Sequence, residues 1–417
     1  MEILLTIGVA MFAGLLLSRL TDRLHLPDVT CYLVVGLLIG PLCLGRLGIG
    51  FTSFHLVESL GLVCDVALGF IAFSIGSEFR VSALRKIGRQ ATVIAIFQAL
   101  TATILVDIAL ILLHLLLGDK LPLSSCLLLG AIATATAPAA TLMVVNQYKA
   151  RGALTDILLP IVALDDAVGL VIFAVSAGIA RALNSGSINV VSVLVNPILE
   201  IVLSLGLGAV LGWLFTLLEK YFNSNSKRLS LAVAFVMLCV GLSKAHFSLG
   251  YGIEIGFSSL LVCMMCATVF CNLCSFSEEI MLKTERWTAP IYVLFFVMSG
   301  AELDLRMFAD WAVIGIGVVY ILARSAGKIF GASASARVMR CEESICKYLG
   351  VTLLPQAGVA LGMSVTVAAE FGVPGALVRN IVLFAVLIYE LVGPMLTKLA
   401  LTAAGDISPK PTTDVRH

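Results

Sequence analysis

Residues 123–175 read LSSCLLLGAIATATAPAATLMVVNQYKARGALTDILLPIVALDDAVGLVIFAV, two apolar segments of membrane-spanning length joined by a short basic loop. The centre of the first segment is weak, because small residues, hydroxyls and Pro138 interrupt it. A proline removes a backbone donor and leaves carbonyls without partners. At bilayer depth such backbone is tolerated only where it lines a cavity or is buried in protein. The break is therefore a candidate binding site inside the membrane.

Two carboxylates, Asp165 and Asp166, stand side by side in the second segment, with apolar residues around them. An ionisable side chain at the centre of a membrane helix costs about 3 kcal/mol on insertion scales, so such residues mark ion or proton pathways. The break adds freed carbonyls and the hydroxyls of Thr134, Thr136 and Thr141. Together these oxygens suit a hard monovalent cation or protons.

The composition is that of an integral membrane protein. Hydrophobic residues make up 60% of the 417 residues and charged residues 13%, with a mean hydropathy of +1.06. Soluble proteins have about half apolar and about a quarter charged residues. We predict helices throughout, and the first of them has no signal-peptide cleavage pattern. The thirteen predicted spans lie near 3–20, 29–44, 56–76, 91–117, 123–145, 153–180, 190–218, 229–247, 253–273, 287–301, 312–338, 345–369 and 379–402.

The distribution of basic residues predicts the orientation. Of the 27 Lys and Arg residues, nineteen fall in the loops and tail of one side, six in the loops of the other side and two within a span. Basic residues accumulate on the cytoplasmic side of membrane proteins. We therefore expect a multi-pass protein of the cell inner (plasma) membrane, with its N-terminus outside, its C-terminus in the cytoplasm and a disordered tail over 403–417.

Two stretches of the chain have similar sequences. Residues 70–78 and 294–302 share an apolar run followed by Gly-x-Glu, seven spans apart, so that one copy lies inverted relative to the other. Two spans further on, the 134–141 break has a counterpart at 354–358, which reads Leu-Pro-Gln-Ala-Gly and includes Gln356. Interrupted helices at corresponding places of two halves indicate a transporter site built from inverted repeats.

The eleventh predicted span supplies two positive charges. Arg324 and Lys328 are one helical turn apart and share a face. An arginine stays charged in proteins, whereas a lysine is able to exchange its proton. Lys328 is therefore a candidate proton carrier, or a counter-ion that releases one aspartate when a cation arrives. Arg324 is a candidate structural cation, and Glu390 in the last span is its expected partner.

Three of these patterns resemble those of the monovalent cation:proton antiporters of the second branch, and within it the NapA-like bacterial Na+/H+ antiporters. They are the 135–141 break, the Asp165–Asp166 pair and Arg324-x-x-x-Lys328-x-x-Gly331. The resemblance covers nearly the whole chain. It implies an all-α integral membrane protein of thirteen transmembrane helices, with inverted repeats and two crossed discontinuous helices, the NhaA/NapA-like antiporter fold.

The resemblance also assigns roles. It implies Asp166 as the ligand of cation and proton, Asp165 as the partner of Lys328, and Thr136 beside the break. Pro138 departs from the pattern and leaves the ion preference open. The full candidate set comprises Asp166, Asp165, Thr136 and Ala137 as ion or proton ligands, Lys328 as charge partner, and Arg324, Glu390, Thr134, Thr141, Pro138 and Gln356 as supporting residues.

The resemblance further divides the chain into two kinds of domain. It implies panel and dimerisation helices over 1–90, core helices with the break and the aspartate pair over 91–180, a linker helix over 181–224, panel helices over 225–310, and core helices with the lysine and the second break over 311–402. We expect a homodimer through the panel side, including the first span and the cysteine-striped ninth. The Cys263-x-x-Cys266 and Cys271-x-x-Cys274 pairs form a stripe of small side chains, which indicates a packing seam and no transition metal site.

We expect a secondary antiporter, not an enzyme, that exchanges H+ for a monovalent cation by alternating access. Na+ is the first expectation, with Li+ beside it, and cation and proton would compete at Asp166. A second proton carried by the Asp165–Lys328 pair would make the exchange electrogenic. K+/H+ exchange and Na+-coupled symport of an organic anion are the alternatives, and a titratable Lys328 opposite the aspartates favours antiport. No cofactor, nucleotide or nucleic acid is expected. Asp65 and Asp107 either belong to a proton path or hold neighbouring helices.

Overall fold

Long helices make up nearly all of the chain that a computed structural model describes, residues 2–24, 28–48, 50–81, 88–137, 141, 144–145, 148–184, 196–222, 224–245, 247–250 and 253–407. The first half contains α1 (Glu2–Leu24), α2 (Asp28–Ile39), α3 (Phe54–Glu58), α4 (Gly61–Glu78), α5 (Arg89–Leu117), α6 (Leu123–Ile132) and α7 (Ala153–Asn184). The second half contains α8 (Asn196–Glu219), α9 (Asn225–Ser243), α10 (Ser259–Leu273), α11 (Ser277–Ala301), α12 (Trp311–Val338), α13 (Glu343–Thr352) and α14 (Gly358–Ala404).

Six helices of the described ranges, α5, α7, α8, α9, α12 and α14, are long and apolar enough to cross a membrane. Shorter apolar helices accompany them, namely α1, α2, α4, α6 and α10. The last helix, α14, joins the last two predicted spans across a kink at Gly372. Its φ of 59° is in the left-handed region that favours glycine, and Pro374 follows two residues later.

A short β-hairpin corrects the expectation of helices throughout. Strand β1 (Phe247–Gly250) pairs antiparallel with β2 (Ile253–Ile255). The span predicted at 229–247 is therefore displaced towards the N-terminus, since α9 runs from Asn225 to Ser243, and the span predicted at 253–273 is shorter than expected, since α10 begins at Ser259. The sequence around the turn explains the difference. Apolar residues alternate with others in both strands, and glycines lie between them, which is a pattern typical of a hairpin.

The stripe of cysteines on α10 lies inside the chain. Cys263 and Cys266 are fully buried, and α10 packs against α4 and α8. Gly208 and Gly212 of α8 bring the two backbones together, because a methyl group added at either would lie within 2.5 Å of an α10 carbonyl oxygen. The stripe is thus a packing seam within the chain, and the homodimer through the panel side stays a prediction.

Two glycines let α5 and α12 cross closely. A methyl group added at Gly327 would lie 2.6 Å from the Ala102 Cα, and one added at Gly331 would lie 2.8 Å from the Gln98 Cα. Small residues spaced by four along a membrane helix allow two backbones to approach in this way. The crossing places the Lys328 side of α12 directly against α5.

The two breaks, which are the non-helical segments that follow α6 and α13, lie side by side. α6 ends at Ile132 and α13 at Thr352, and non-helical backbone follows each of them. The Ala137 N–H donates to the Pro355 carbonyl oxygen at 2.8 Å, so the extended segments are joined directly. Helical backbone is present again at Thr141. Pro138 is outside the described residues.

Candidate functional site

An ion pair between α7 and α12 lies beside the first break. The Lys328 Nζ is 2.7 Å from the Asp165 Oδ2, and both side chains are completely buried. The Thr136 hydroxyl donates to the same carboxylate oxygen. Lys328 also donates to the Thr136 Oγ1 at 2.9 Å and to the carbonyl of Thr134. The structure therefore brings four of the candidate residues into one hydrogen-bonded group.

A residue that the sequence analysis missed completes this group. Gln98 of α5 is fully buried, and its Nε2 donates to the Asp165 Oδ1. The same nitrogen donates to the Ala95 carbonyl at 3.0 Å. The available signal was an amide in the middle of the apolar α5, together with the Gly-x-x-x-Gly spacing of Gly327 and Gly331 that brings α12 against it.

The Arg324 guanidinium connects the two breaks. It donates to the carbonyls of Ala133 at 3.0 Å, Ala135 at 2.6 Å and Leu354 at 2.8 Å, and it is fully buried. These carbonyls follow directly after α6 and α13, where the C-terminal end of a helix carries partial negative charge. The positive charge of Arg324 is thereby matched by main-chain groups.

The predicted pairing of Arg324 with Glu390 is not found. The guanidinium lies over the Tyr389 ring instead, 4.5 Å from its centroid. Glu390 is buried, and within the described ranges its Oε1 has no hydrogen-bond partner. The prediction rested on matching opposite side-chain charges, and it overlooked the carbonyls that the breaks leave free.

Two further candidates also hold the breaks together. The Gln356 Nε2 donates to the Ile132 carbonyl at 2.9 Å and to the Tyr320 hydroxyl at 3.0 Å. The Thr141 hydroxyl donates to the Thr352 carbonyl at 3.4 Å. Both are fully buried, and each spans from one break to the other.

Asp166 faces a different environment from its neighbour. It lines a cavity of about 690 Å³, together with Ala137 of the first break and with Ala357 and Gly358 of the second. Successive residues of an α-helix diverge by about 100° around its axis. Asp165 therefore points to α5 and α12, while Asp166 points into the cavity. The remaining wall is formed by α1, α2, α4 and α11, and is apolar apart from a few residues such as Arg286.

A second, smaller cavity of about 310 Å³ lies further along the same face of α7. Phe173, Ala177 and Arg181 line it. Arg181 forms ion pairs with Glu200 of α8 and Glu370 of α14, which join three helices. Asp65 and Lys244, which form an ion pair with each other, also line this cavity. Asp107 does not line this cavity. Its carboxylate lies against Gly130, where an added methyl group would collide with it.

Comparison with known proteins identifies the family. Residues 7–403 match the family model described as "Sodium/hydrogen exchanger, transmembrane". The chain belongs to this family. Members of the sodium/hydrogen exchanger family are transporters and not enzymes, so the chain is an integral membrane cation:proton exchanger.

Relatives of known sequence and structure agree with this family. The chain is 24% identical over 352 residues to Na(+)/H(+) antiporter 1 of Methanocaldococcus jannaschii. The matched region covers 79% of this chain and 77% of that protein. It is similar to a structure of the sodium proton antiporter MjNhaP1 from that organism at pH 8, with a TM-score of 0.74, 20% identity and coverage of 96% of this chain and 100% of that one. A map of MjNhaP1 obtained by electron microscopy gives a TM-score of 0.67 at 19% identity, with coverage of 97% and 98%. The exchanger therefore shares the fold of these structures.

Proposed function

We propose that this exchanger carries Na+ against H+ by alternating access, with cation and proton competing for Asp166. One observation supports the proposal above the others. Asp166 is the carboxylate in the wall of a cavity of about 690 Å³ that also includes non-helical backbone of both breaks. A site with one carboxylate and nearby main-chain oxygens holds either a bound monovalent cation or a proton, because both neutralise the same charge.

The neighbouring ion pair supplies a second proton in the proposed cycle. Na+ arriving at Asp166 draws the carboxylate of Asp165 away from Lys328, whose ammonium then releases a proton. Two protons thus leave for each Na+ that binds, one from Asp166 and one from Lys328. Both sites take up protons again on the return step. The exchange would move one net charge per cycle and be electrogenic.

The proposal includes an architecture. The thirteen spans would form inverted repeats with two crossed discontinuous helices at 132–141 and 352–358. α5–α7 and α12–α14 would form the core, α8 the linker, and α1–α4 and α9–α11 the panel. A homodimer would form through α1, which exposes Leu4, Leu5, Phe12 and Leu16. The N-terminus would be outside the cell inner membrane and the C-terminus in the cytoplasm, so that the Asp166 cavity opens inward.

The test is proton flux in proteoliposomes that contain a pH-sensitive dye, with NaCl, LiCl, KCl or choline chloride added in turn. NaCl and, more weakly, LiCl should release the imposed proton gradient, and Asp166→Asn should abolish this response while the protein remains folded. The matched control is Asp156→Asn, which removes an exposed carboxylate from the first turn of the same helix. A response to KCl alone would identify K+/H+ exchange. Undiminished Na+-driven flux in Asp166→Asn would contradict the site.

A further inference from the structure

Gln98 lies where α5 and α12 approach most closely. The absence of a side chain at Gly331 lets the α12 backbone reach the Gln98 Cα, and a methyl group there would lie 2.8 Å from it. Lys328 is one turn away on α12, and its Nζ contacts Asp165. The crossing therefore places the Gln98 amide and the Lys328 ammonium on opposite sides of one carboxylate.

The two oxygens of Asp165 have different donors. Oδ2 accepts from Lys328 and from Thr136, whereas Oδ1 accepts from the Gln98 Nε2. A carboxylate held at both oxygens is fixed in orientation as well as in position. The bond from Gln98 thus holds the plane of the Asp165 carboxylate while its other oxygen faces the lysine.

The orientation of the Gln98 amide follows from its surroundings. Its nitrogen faces two acceptors, the Asp165 carboxylate and the Ala95 carbonyl at 3.0 Å, so a flipped amide would bring its oxygen against both. In this orientation the Oε1 is buried and has no hydrogen-bond partner within the described part of the chain. A buried acceptor without a partner costs about 1–3 kcal/mol. Nothing in the packing of α5 requires this amide, because a methionine of similar length would fill the same volume without the cost.

We propose that Gln98 is a positioning residue of the exchange reaction, which holds the Asp165 carboxylate in the orientation that pairs with Lys328. Gln98 does not contact the cation and acts only through Asp165. This inference rests on the proposed exchange at Asp166 and adds to it a residue on a helix that carries none of the predicted ligands. The bond from Gln98 keeps Asp165 turned towards α12 until the cation draws it away.

The experiment uses the full-length protein in proteoliposomes and compares Gln98→Met with the control Thr103→Val. Thr103 is a buried polar residue of the same helix, and among the residues that the structure describes its hydroxyl bonds to the Ala99 carbonyl of its own helix. Gln98→Met should lower the Na+-driven proton flux about tenfold or more, the factor expected from loss of a hydrogen bond to a charged group, and should change the pH profile of the flux. Thr103→Val should change neither.

The double variant separates positioning from packing. If Gln98 acts through Asp165, adding Gln98→Met to Asp165→Asn should reduce the flux no further than Asp165→Asn alone, because interacting residues are not additive. Should Asp165→Asn alone abolish flux, the same four proteins are compared by the sodium-induced rise in unfolding temperature, which requires binding only.

Two results would overturn the role of Gln98. One is a Gln98→Met variant with the flux and pH profile of the unaltered protein. The other is a double variant whose flux is reduced by the full product of the factors found for Gln98→Met and Asp165→Asn alone. Failure of the proposed function is a different result. In that case the unaltered protein itself would show no cation-driven proton flux.

Discussion

Replacing Lys328 by glutamine separates the structural part of this lysine from its part in transport. The Nζ–Oδ2 distance is 2.7 Å and neither side chain reaches solvent, so Lys328→Gln leaves the Asp165 carboxylate buried without its counter-ion. Breaking a buried pair in this way costs about 3–5 kcal/mol. Proteins have about 5–15 kcal/mol of total stability, so the variant should fold with a clearly lower unfolding temperature. Gln98 and Thr136 still donate to Asp165 and keep the loss near the lower end of the range.

Combining Asp165→Asn with Lys328→Gln removes both charges. The double variant should regain most of the lost stability, because neither member of the pair is left as a buried charge without its partner. It should not regain the electrical signal. In the proposed cycle Lys328 carries the second proton, so both variants would exchange one proton for one Na+ and move no net charge.

The measurements are thermal unfolding in detergent and two proteoliposome assays, one with a pH-sensitive and one with a voltage-sensitive dye. In the unaltered protein an imposed membrane potential alone should drive Na+ movement, and in Lys328→Gln this response should be lost even where some exchange survives. Undiminished voltage in Lys328→Gln would mean that another group carries the second proton. A double variant less stable than Lys328→Gln would refute the charge-balance reasoning.

Two further variants test the connections around the site. Arg324→Met removes three hydrogen bonds to the breaks. Together they are worth about 2 kcal/mol at the average measured between membrane helices, and about 6 kcal/mol if they count as charge-assisted bonds. The yield of folded protein in size-exclusion chromatography should therefore fall, and Arg324→Lys should restore part of it. Arg181→Gln removes ion pairs to Glu200 and Glu370, each worth up to about 1 kcal/mol. An introduced Ala177→Cys should then react up to about thirtyfold faster with a membrane-impermeant thiol reagent added outside. An unchanged rate would show that these pairs do not limit access to the smaller cavity.

The sequence was most informative where polar groups interrupt an apolar background. Both breaks are at the predicted places, because proline, glycine and hydroxyl residues weaken a helix where they cluster. The structure also puts Asp165 and Lys328 in contact, as the resemblance implied. Buried charges within membrane spans are few, so the possible partners of each were few as well.

The sequence was least informative about polar groups that have main-chain partners. Arg324 was assigned a carboxylate, but its acceptors are three carbonyls whose availability depends on how the two breaks meet. Gln98 was missed because one amide in an apolar helix has no distinguishing pattern, and its meaning depends on which helix lies opposite. The hairpin at 247–255 was missed because hydropathy alone does not separate a short apolar strand from the end of a helix.

The side-chain contacts restrict which parts of the molecule are able to move during exchange. Arg324 and Lys328 lie one turn apart on α12, and between them they bond to both breaks and to α7. Any motion of α12 relative to α6, α7 or α13 would break several buried hydrogen bonds at once. The opposite wall of the Asp166 cavity is lined mainly by apolar side chains of α1, α2, α4 and α11. Alternating access would therefore move the bonded helices as one body along that apolar wall, which carries Asp166 with them and leaves the Asp165–Lys328 pair intact until a cation binds.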